Sequence, residues 1–258
     1  MIWSSSPNPD CPLEEDVRST HCIFCRGGMD VLMSPPPIGL PARVLRACRA
    51  CGWWAYWLQT GSTLLDLDSG RQLGWSLYGV IAQLKALDVT DIETPIEEIK
   101  RYLTARYESR FECHPRLFEE TVAAVFRSIG YQAEATAYCK DGGVDVILHH
   151  PDGTTTGVQV KRSRNPIEVE QIRALTGALI QSGHTNGMFV TTSRFSAGSH
   201  EAQKVFAARG YPIELFDAQR FFEALRISQR PPYASYEDWL GHHGEPELLT
   251  IYEEEEAL

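Results

Sequence analysis

The sequence predicts an α/β protein with a small cysteine-bearing domain in front, and three observations carry that prediction. From His114 onward, apolar residues alternate between a helical period near 3.6 and a strand period of two. Residues 141–162 pattern as a hairpin around a Pro-Asp-Gly turn. Near the N-terminus, Cys22-x-x-Cys25 and Cys48-x-x-Cys51 repeat one spacing about 20 residues apart.

Residues 1–20 are polar and proline-bearing, which predicts a flexible leader. Residues 21–60 hold the two cysteine pairs. Each pair offers two soft sulfurs on a tight turn, and four thiolates close a tetrahedron around zinc with no position left for substrate. This predicts a zinc ribbon in which Cys22, Cys25, Cys48 and Cys51 hold a structural ion. Trp53, Trp54, Tyr56 and Trp57 then run along an expected strand. Two uses of that run stay open: Trp53 and Trp57 stacking on bases or a partner, or aromatic rings roofing a ribbon too small for an ordinary core.

Residues 61–110 are expected to be a helical connector. Residues 60–75 extend the ribbon to a Gly/Ser-containing turn, and Leu77, Val80, Ile81, Leu84 and Leu87 are spaced for a helix over 76–87. Thr94-Pro95-Ile96-Glu97 has the form of a capping box with proline in the first turn, predicting a helix to about Tyr107.

Residues 111–230 alternate helix and strand. Leu117, Phe118, Thr121, Val122, Val125, Phe126 and Ile129 form one helical face, stopped at Gly130. Strands are expected near 131–137, 144–149, 156–161, 187–192 and 213–216, and helices near 166–181, 199–209 and 218–225. Residues 231–258 follow as an acidic C-terminal tail.

Charge supports that division. Residues 231–258 carry eight Asp/Glu and no Lys/Arg, whereas residues 111–230 balance at thirteen each, so the net charge of −10 sits mostly in the tail. Polyanion binding is therefore not excluded, although no basic stripe advertises it. No apolar run is long enough to span a membrane, and no basic-then-apolar signal opens the chain. Seven cysteines, an odd number with paired Cys-x-x-Cys spacing, favour metal binding in a reducing, cytoplasmic compartment over a disulfide framework.

The hairpin carries the chemistry. Alternation puts Gln159 and Lys161 on one strand face, and Asp145 opens the partner strand, so a carboxylate, an amide oxygen and an ammonium meet at one edge. A solvated hairpin is the plainer alternative. The pattern Asp, gap, Gln-x-Lys resembles the PD-(D/E)xK nuclease superfamily. FEETVAAVFRSIGY, DGGVDVIL, QVKR and GMFVTTSRFS, in that order, resemble its Mrr-like restriction endonuclease branch over roughly residues 114–226.

The resemblance implies an αβββαβ core, a mixed central sheet with flanking helices. It implies a magnesium- or manganese-dependent DNA endonuclease, a hydrolase used in defence against foreign DNA and expected to act as a homodimer. By the same resemblance Asp145 anchors the metal. Gln159 replaces the commoner acid, the Val160 carbonyl is a further ligand, Lys161 orients or deprotonates water, and Glu119 is the helical acid. A first-turn acid near a helix N-terminus is the plainer reading of Glu119. Arg162, Arg164, Ser193 and Arg194 are expected DNA contacts. Asp141, His149 and His150 are read as turn or exposed residues.

Two other readings stay open. The neutral Gln159 suits a non-catalytic protein that binds nucleic acid or a partner on a degenerate nuclease fold. The chain also suits a nuclease subunit of a defence complex gated by a protein partner at the ribbon or acidic tail. A tail occupying the cleft as a DNA mimic is a further expectation.

Overall fold

The computed structural model describes residues 2–6, 20–34, 43–66, 70–136, 142–231 and 233–256, with backbone alone at 4–6, 33–34, 59–66, 70–77 and 249–256. The chain divides into two compact units, residues 1–86 with 230–258, and residues 87–229.

The first unit is an antiparallel sheet. Its strands are β1 (Trp3–Ser6), β2 (Met29–Ser34), β3 (Arg43–Cys48), β4 (Trp54–Asp66) and β5 (Gly70–Leu84), ordered β1-β5-β4-β3-β2, with β11 (Leu249–Glu256) also paired to β5. Three expectations change here. The helix expected over 76–87 is strand β5. Its apolar run fits both periods, and pairing to β4 on one side and to β1 and β11 on the other uses its backbone groups in a ladder. Residues 2–6 are not a loose leader, because Ile2 and Trp3 are buried and β1 pairs with β5; residues 7–19 lie outside the described residues. Nor is the C-terminus a loose appendage, since Leu249–Glu256 is a sheet strand. Ahead of it a helix, Tyr236–His243, stacks its Trp239 on Tyr56 at 5.4 Å and meets Trp54 edge-on at 5.0 Å. Trp53, Trp54, Tyr56 and Trp57 are all buried, so the aromatic run is core.

The second unit is three-layered. Helix α1 (Ile96–Ala105) starts at Pro95, and Thr94 does not cap it: the Thr94 hydroxyl donates to the Asp88 carbonyl at 3.1 Å instead. After a 3-10 turn (Tyr107–Phe111) comes α2 (Pro115–Ser128), capped by the His114 ring accepting from Arg116 N–H at 3.2 Å. Strands β6 (Gln132–Ala135), β7 (Val146–His149), β8 (Thr155–Lys161), β9 (Asn186–Thr191) and β10 (Ile213–Phe216) form a sheet ordered β10-β9-β8-β7-β6. The first three strands pair antiparallel and the last three parallel, a mixed sheet as expected.

Helices α3 (Val169–Ser182) and α4 (Ala197–Ala207) cover one face, packing Ile172, Leu175, Leu179 and Ala202 against Phe189, Ile213 and Leu215. The other face carries α2 and α5 (Ala218–Ser228), where Phe118 meets Phe221 at 5.2 Å and Phe126 meets Phe216 at 5.9 Å. Gly157 and Gly187 are register partners on β8 and β9. A Cβ at Gly157 would lie 2.7 Å from Leu179 Cδ2, and one at Gly187 2.5 Å from Leu179 Cδ1, so bare backbone at both lets α3 sit close to the sheet. The helix Tyr236–His243 of the first unit is α6.

Candidate active site and cysteine centre

The Pro151-Asp152-Gly153 turn closes the β7–β8 hairpin. His150 N–H donates to the Thr154 carbonyl at 3.0 Å, and Asp152 Oδ1 accepts from the Thr154 N–H at 2.9 Å and its hydroxyl at 2.7 Å. Register then fixes the far end: Val146 faces Val158, and Asp145 N–H donates to the Val158 carbonyl at 2.8 Å. Beyond this the ladder opens, and the next β8 donor, Val160 N–H, is taken by Asp145 Oδ2 at 2.6 Å. The carboxylate therefore sits on the peptide joining Gln159 to Val160.

Gly157 faces Leu179, so by strand alternation Gln159 and Lys161 share the α3 face. Gln159 Oε1 is buried and accepts no hydrogen bond. Lys161 is exposed, and among the described residues its ammonium has no partner. Its backbone is anchored: the Lys161 carbonyl accepts from the Thr191 hydroxyl at 2.9 Å and Thr192 N–H at 3.3 Å. The Asp145 carboxylate thus lies against the β8 backbone between Gln159 and Val160, and Lys161 follows two residues along on the face that Gln159 occupies.

Glu119 is linked to the backbone at Val144 and Asp145 through a network that sequence reading missed. Arg116 bonds Glu119 Oε2 at 3.3 Å, Glu120 Oε1 at 2.9 Å and the Thr136 carbonyl at 2.8 Å. Thr136 in turn donates its N–H to the Asp145 carbonyl at 2.9 Å and its hydroxyl to the Val144 carbonyl at 2.9 Å. The available signal was the spacing of Arg116 three and four residues ahead of Glu119 and Glu120, one helix face.

The expected DNA contacts lie just past Lys161. Arg162 Nη1 donates to the Phe111 carbonyl at 2.9 Å, and the Arg164 guanidinium lies 4.5 Å from the Phe111 ring centre. Ser193 turns its hydroxyl to the Arg164 carbonyl at 3.4 Å, and the Arg194 carbonyl accepts from Ile167 N–H at 2.8 Å, leaving its side chain exposed. His149 and His150 are half-buried rather than exposed, bonded to Glu134 at 2.9 Å and Thr156 at 2.8 Å. Asp141 lies outside the described residues.

In the first unit Cys22, Cys25, Cys48 and Cys51 are all buried, with their sulfurs within 4.8 Å of one another. Two pairs, Cys22–Cys51 and Cys25–Cys48, stand 3.5 Å apart. A tetrahedron with bonds of about 2.3 Å needs sulfurs roughly 3.8 Å apart, so this cluster fits a zinc ribbon. Knuckle turns hold it: Arg26 N–H donates to the Cys22 carbonyl at 2.9 Å and Gly52 N–H to the Cys48 carbonyl at 3.1 Å. Gly52 has φ 80°, and a Cβ at Gly27 would lie 3.2 Å from Cys25 Sγ. Sharing protons splits the thiols: hydrogen bonds with Cys22 lower Cys25 and Cys48, while bonds with neighbouring cysteines, and then burial, raise Cys22 and Cys51. Among the described residues this is the one group of three or more His, Cys, Asp and Glu within ligand reach, so the β8 site offers fewer charged donors than the sulfur site.

Residues 111–225 match the restriction endonuclease family Mrr_cat. No curated protein matches the sequence. Among solved structures, the chain is similar to the DNA modification-dependent restriction endonuclease AspBHI, at 20% identity and TM-score 0.38, over 57% of this chain and 39% of that one. It is similar to MspJI restriction endonuclease in complex with a 27-mer oligonucleotide, at 20% and 0.35, over 58% and 37%. It is also similar to AF1548, a protein of unknown function, at 15% and 0.33, over 45% and 65%. The chain spans less than two thirds of each of these three structures. No helix among the described residues is long and apolar enough to cross a membrane.

Proposed function

We propose, for a chain whose residues 111–225 match the restriction endonuclease family Mrr_cat, that this region is a divalent-metal-dependent endodeoxyribonuclease. The observation that carries the reading is Gln159 Oε1, a buried oxygen with no donor, beside the peptide that Asp145 grips. Leaving such an oxygen unpaired costs roughly 1–3 kcal/mol, a cost relieved by a cation ligated there. Magnesium or manganese accepts an all-oxygen donor set and keeps several waters, so Asp145, Gln159 and the Val160 carbonyl suffice, with Glu119 reaching directly or through water.

When bound, the cation polarises a phosphoryl oxygen and acidifies water. Asp145 supplies the negative charge that holds it, and its bond to Val160 N–H fixes the carboxylate. Gln159 adds an oxygen without charge, so affinity leans on the DNA phosphate as a further ligand. Lys161, exposed on the same face, orients or deprotonates the attacking water and counters charge on the phosphate. Arg162, Arg164, Ser193 and Arg194 border the path of the strand as phosphate contacts. Zinc in Cys22, Cys25, Cys48 and Cys51 is structural, and the ribbon or the acidic C-terminal strand docks a protein partner. Cutting both strands with one site per domain calls for a homodimer, and the biological setting is cytoplasmic defence against foreign DNA.

Plasmid DNA incubated with the protein and magnesium or manganese tests this. Nicking or linearisation that falls by about 10²-fold or more in Lys161→Ala is the expected result. No cutting under either metal, with DNA still bound, would leave the neutral Gln159 as the mark of a binding protein or of a subunit gated by a partner.

A further inference from the structure

Three arginines converge on one phenylalanine beside Lys161. The Arg110 guanidinium lies 3.9 Å from the Phe111 ring centre, and Arg164 lies 4.5 Å from it. Arg162 donates to the Phe111 carbonyl at 2.9 Å. Their roles differ. Arg110 is buried and used up: it bonds the Thr192 carbonyl at 3.1 Å, the Tyr107 carbonyl at 2.9 Å and Glu108 at 2.9 Å, fastening the 3-10 turn to the end of β9. Arg162 and Arg164 are exposed, and among the described residues neither has an acidic partner.

Like charges gathered around one residue repel unless an anion joins them. A guanidinium lying on an aromatic face keeps its N–H donors at its edge, available to an oxyanion. Arg162 has one N–H occupied by Phe111 and others to spare. The segment carrying both is fixed, since Ser163 N–H donates to the Thr192 hydroxyl at 2.8 Å and that hydroxyl donates to the Ser163 carbonyl at 3.0 Å. The two arginines follow Lys161 by one and three residues, within about 10 Å of chain.

We propose that Arg162, held by the Phe111 carbonyl, and Arg164, beside the Phe111 ring, form a subsite for a phosphodiester next to the one that is cut, with Phe111 as its positioning residue. This rests on the nuclease reading above. The subsite takes any nucleic-acid backbone phosphate and reads no base.

The test is binding of a short labelled duplex in calcium, measured over a range of salt concentrations. Arg162→Gln and Arg164→Gln each flatten the slope of log affinity against log salt by about 0.9, about an eightfold loss at ~0.1 M salt. Phe111→Leu weakens binding about threefold through loss of the ring, and Phe111→Tyr restores it. Under cleavage conditions the two arginine variants and Phe111→Leu raise KM by a larger factor than they lower kcat. Should Phe111→Leu fail to fold, the two exposed arginine variants still decide the phosphate contact. Duplex bound by the unaltered protein with slopes unchanged in both arginine variants overturns the subsite alone. Flattened slopes with Phe111→Leu binding normally overturn the positioning role. No duplex binding by the unaltered protein overturns the nuclease reading, and the subsite with it.

Discussion

The cysteine centre of the first unit and the β8 site of the second are built in opposite ways. The four sulfurs are buried, crowded against one another and hemmed in, with the Trp3 indole donating to the Cys51 carbonyl at 2.7 Å and the Trp53 indole to the Ala82 carbonyl at 3.0 Å. The β8 site instead leaves a buried amide oxygen without a donor and an exposed ammonium without a partner among the described residues. A donor shell that closes on itself stabilises its surroundings and admits nothing further. One that stays open loses stability locally and gains room for substrate.

The largest effect that would sharpen this contrast lies in the first unit. Cys48→Ser removes one of four soft ligands, and structural zinc sites of this kind supply on the order of 10 kcal/mol in isolated peptides. Zinc content should fall well below one per chain, and hydrogen exchange over residues 21–60 should lose its protection. Full zinc occupancy with unchanged protection would break the comparison, because the centre would then not be a closed metal site.

The second unit should owe its order to packing. Gly187→Ala places a Cβ 2.5 Å from Leu179 Cδ1 and 3.2 Å from Ile213 Cγ1. Displacing α3 by that overlap should cost about 1–3 kcal/mol, read as a lower melting temperature with zinc content unchanged. A neutral result would mean that α3 moves off the sheet freely, and that close packing at Gly187 is not what orders the second unit.

The hairpin was the most legible part of the chain. A Pro-Asp-Gly turn between alternating runs fixes register, and register alone puts Asp145 beside the Gln159–Val160 peptide. The five strands and five helices of the second unit were equally readable, because their periods do not compete. Strand β5 was not: LGWSLYGVIAQL is apolar at both helical and strand spacings, and partners on both sides decide it. The acidic end read as solvated because charge favours exposure, whereas strand pairing uses backbone groups that composition does not reveal. Arg116 and Phe111 stayed hidden for another reason. Their partners, Thr136 and Arg164, are distant in sequence and meet them only in the folded chain.

Gln159 as a metal ligand is tested most directly by calorimetric titration of zinc-loaded protein with manganese in the presence of a short duplex. Gln159→Glu, which adds a negative charge at the ligand oxygen, should tighten binding at least about tenfold, and Gln159→Leu should weaken it at least as much. Equal manganese affinity in all three proteins would contradict the account, because the orphaned oxygen would then have no part in holding a cation.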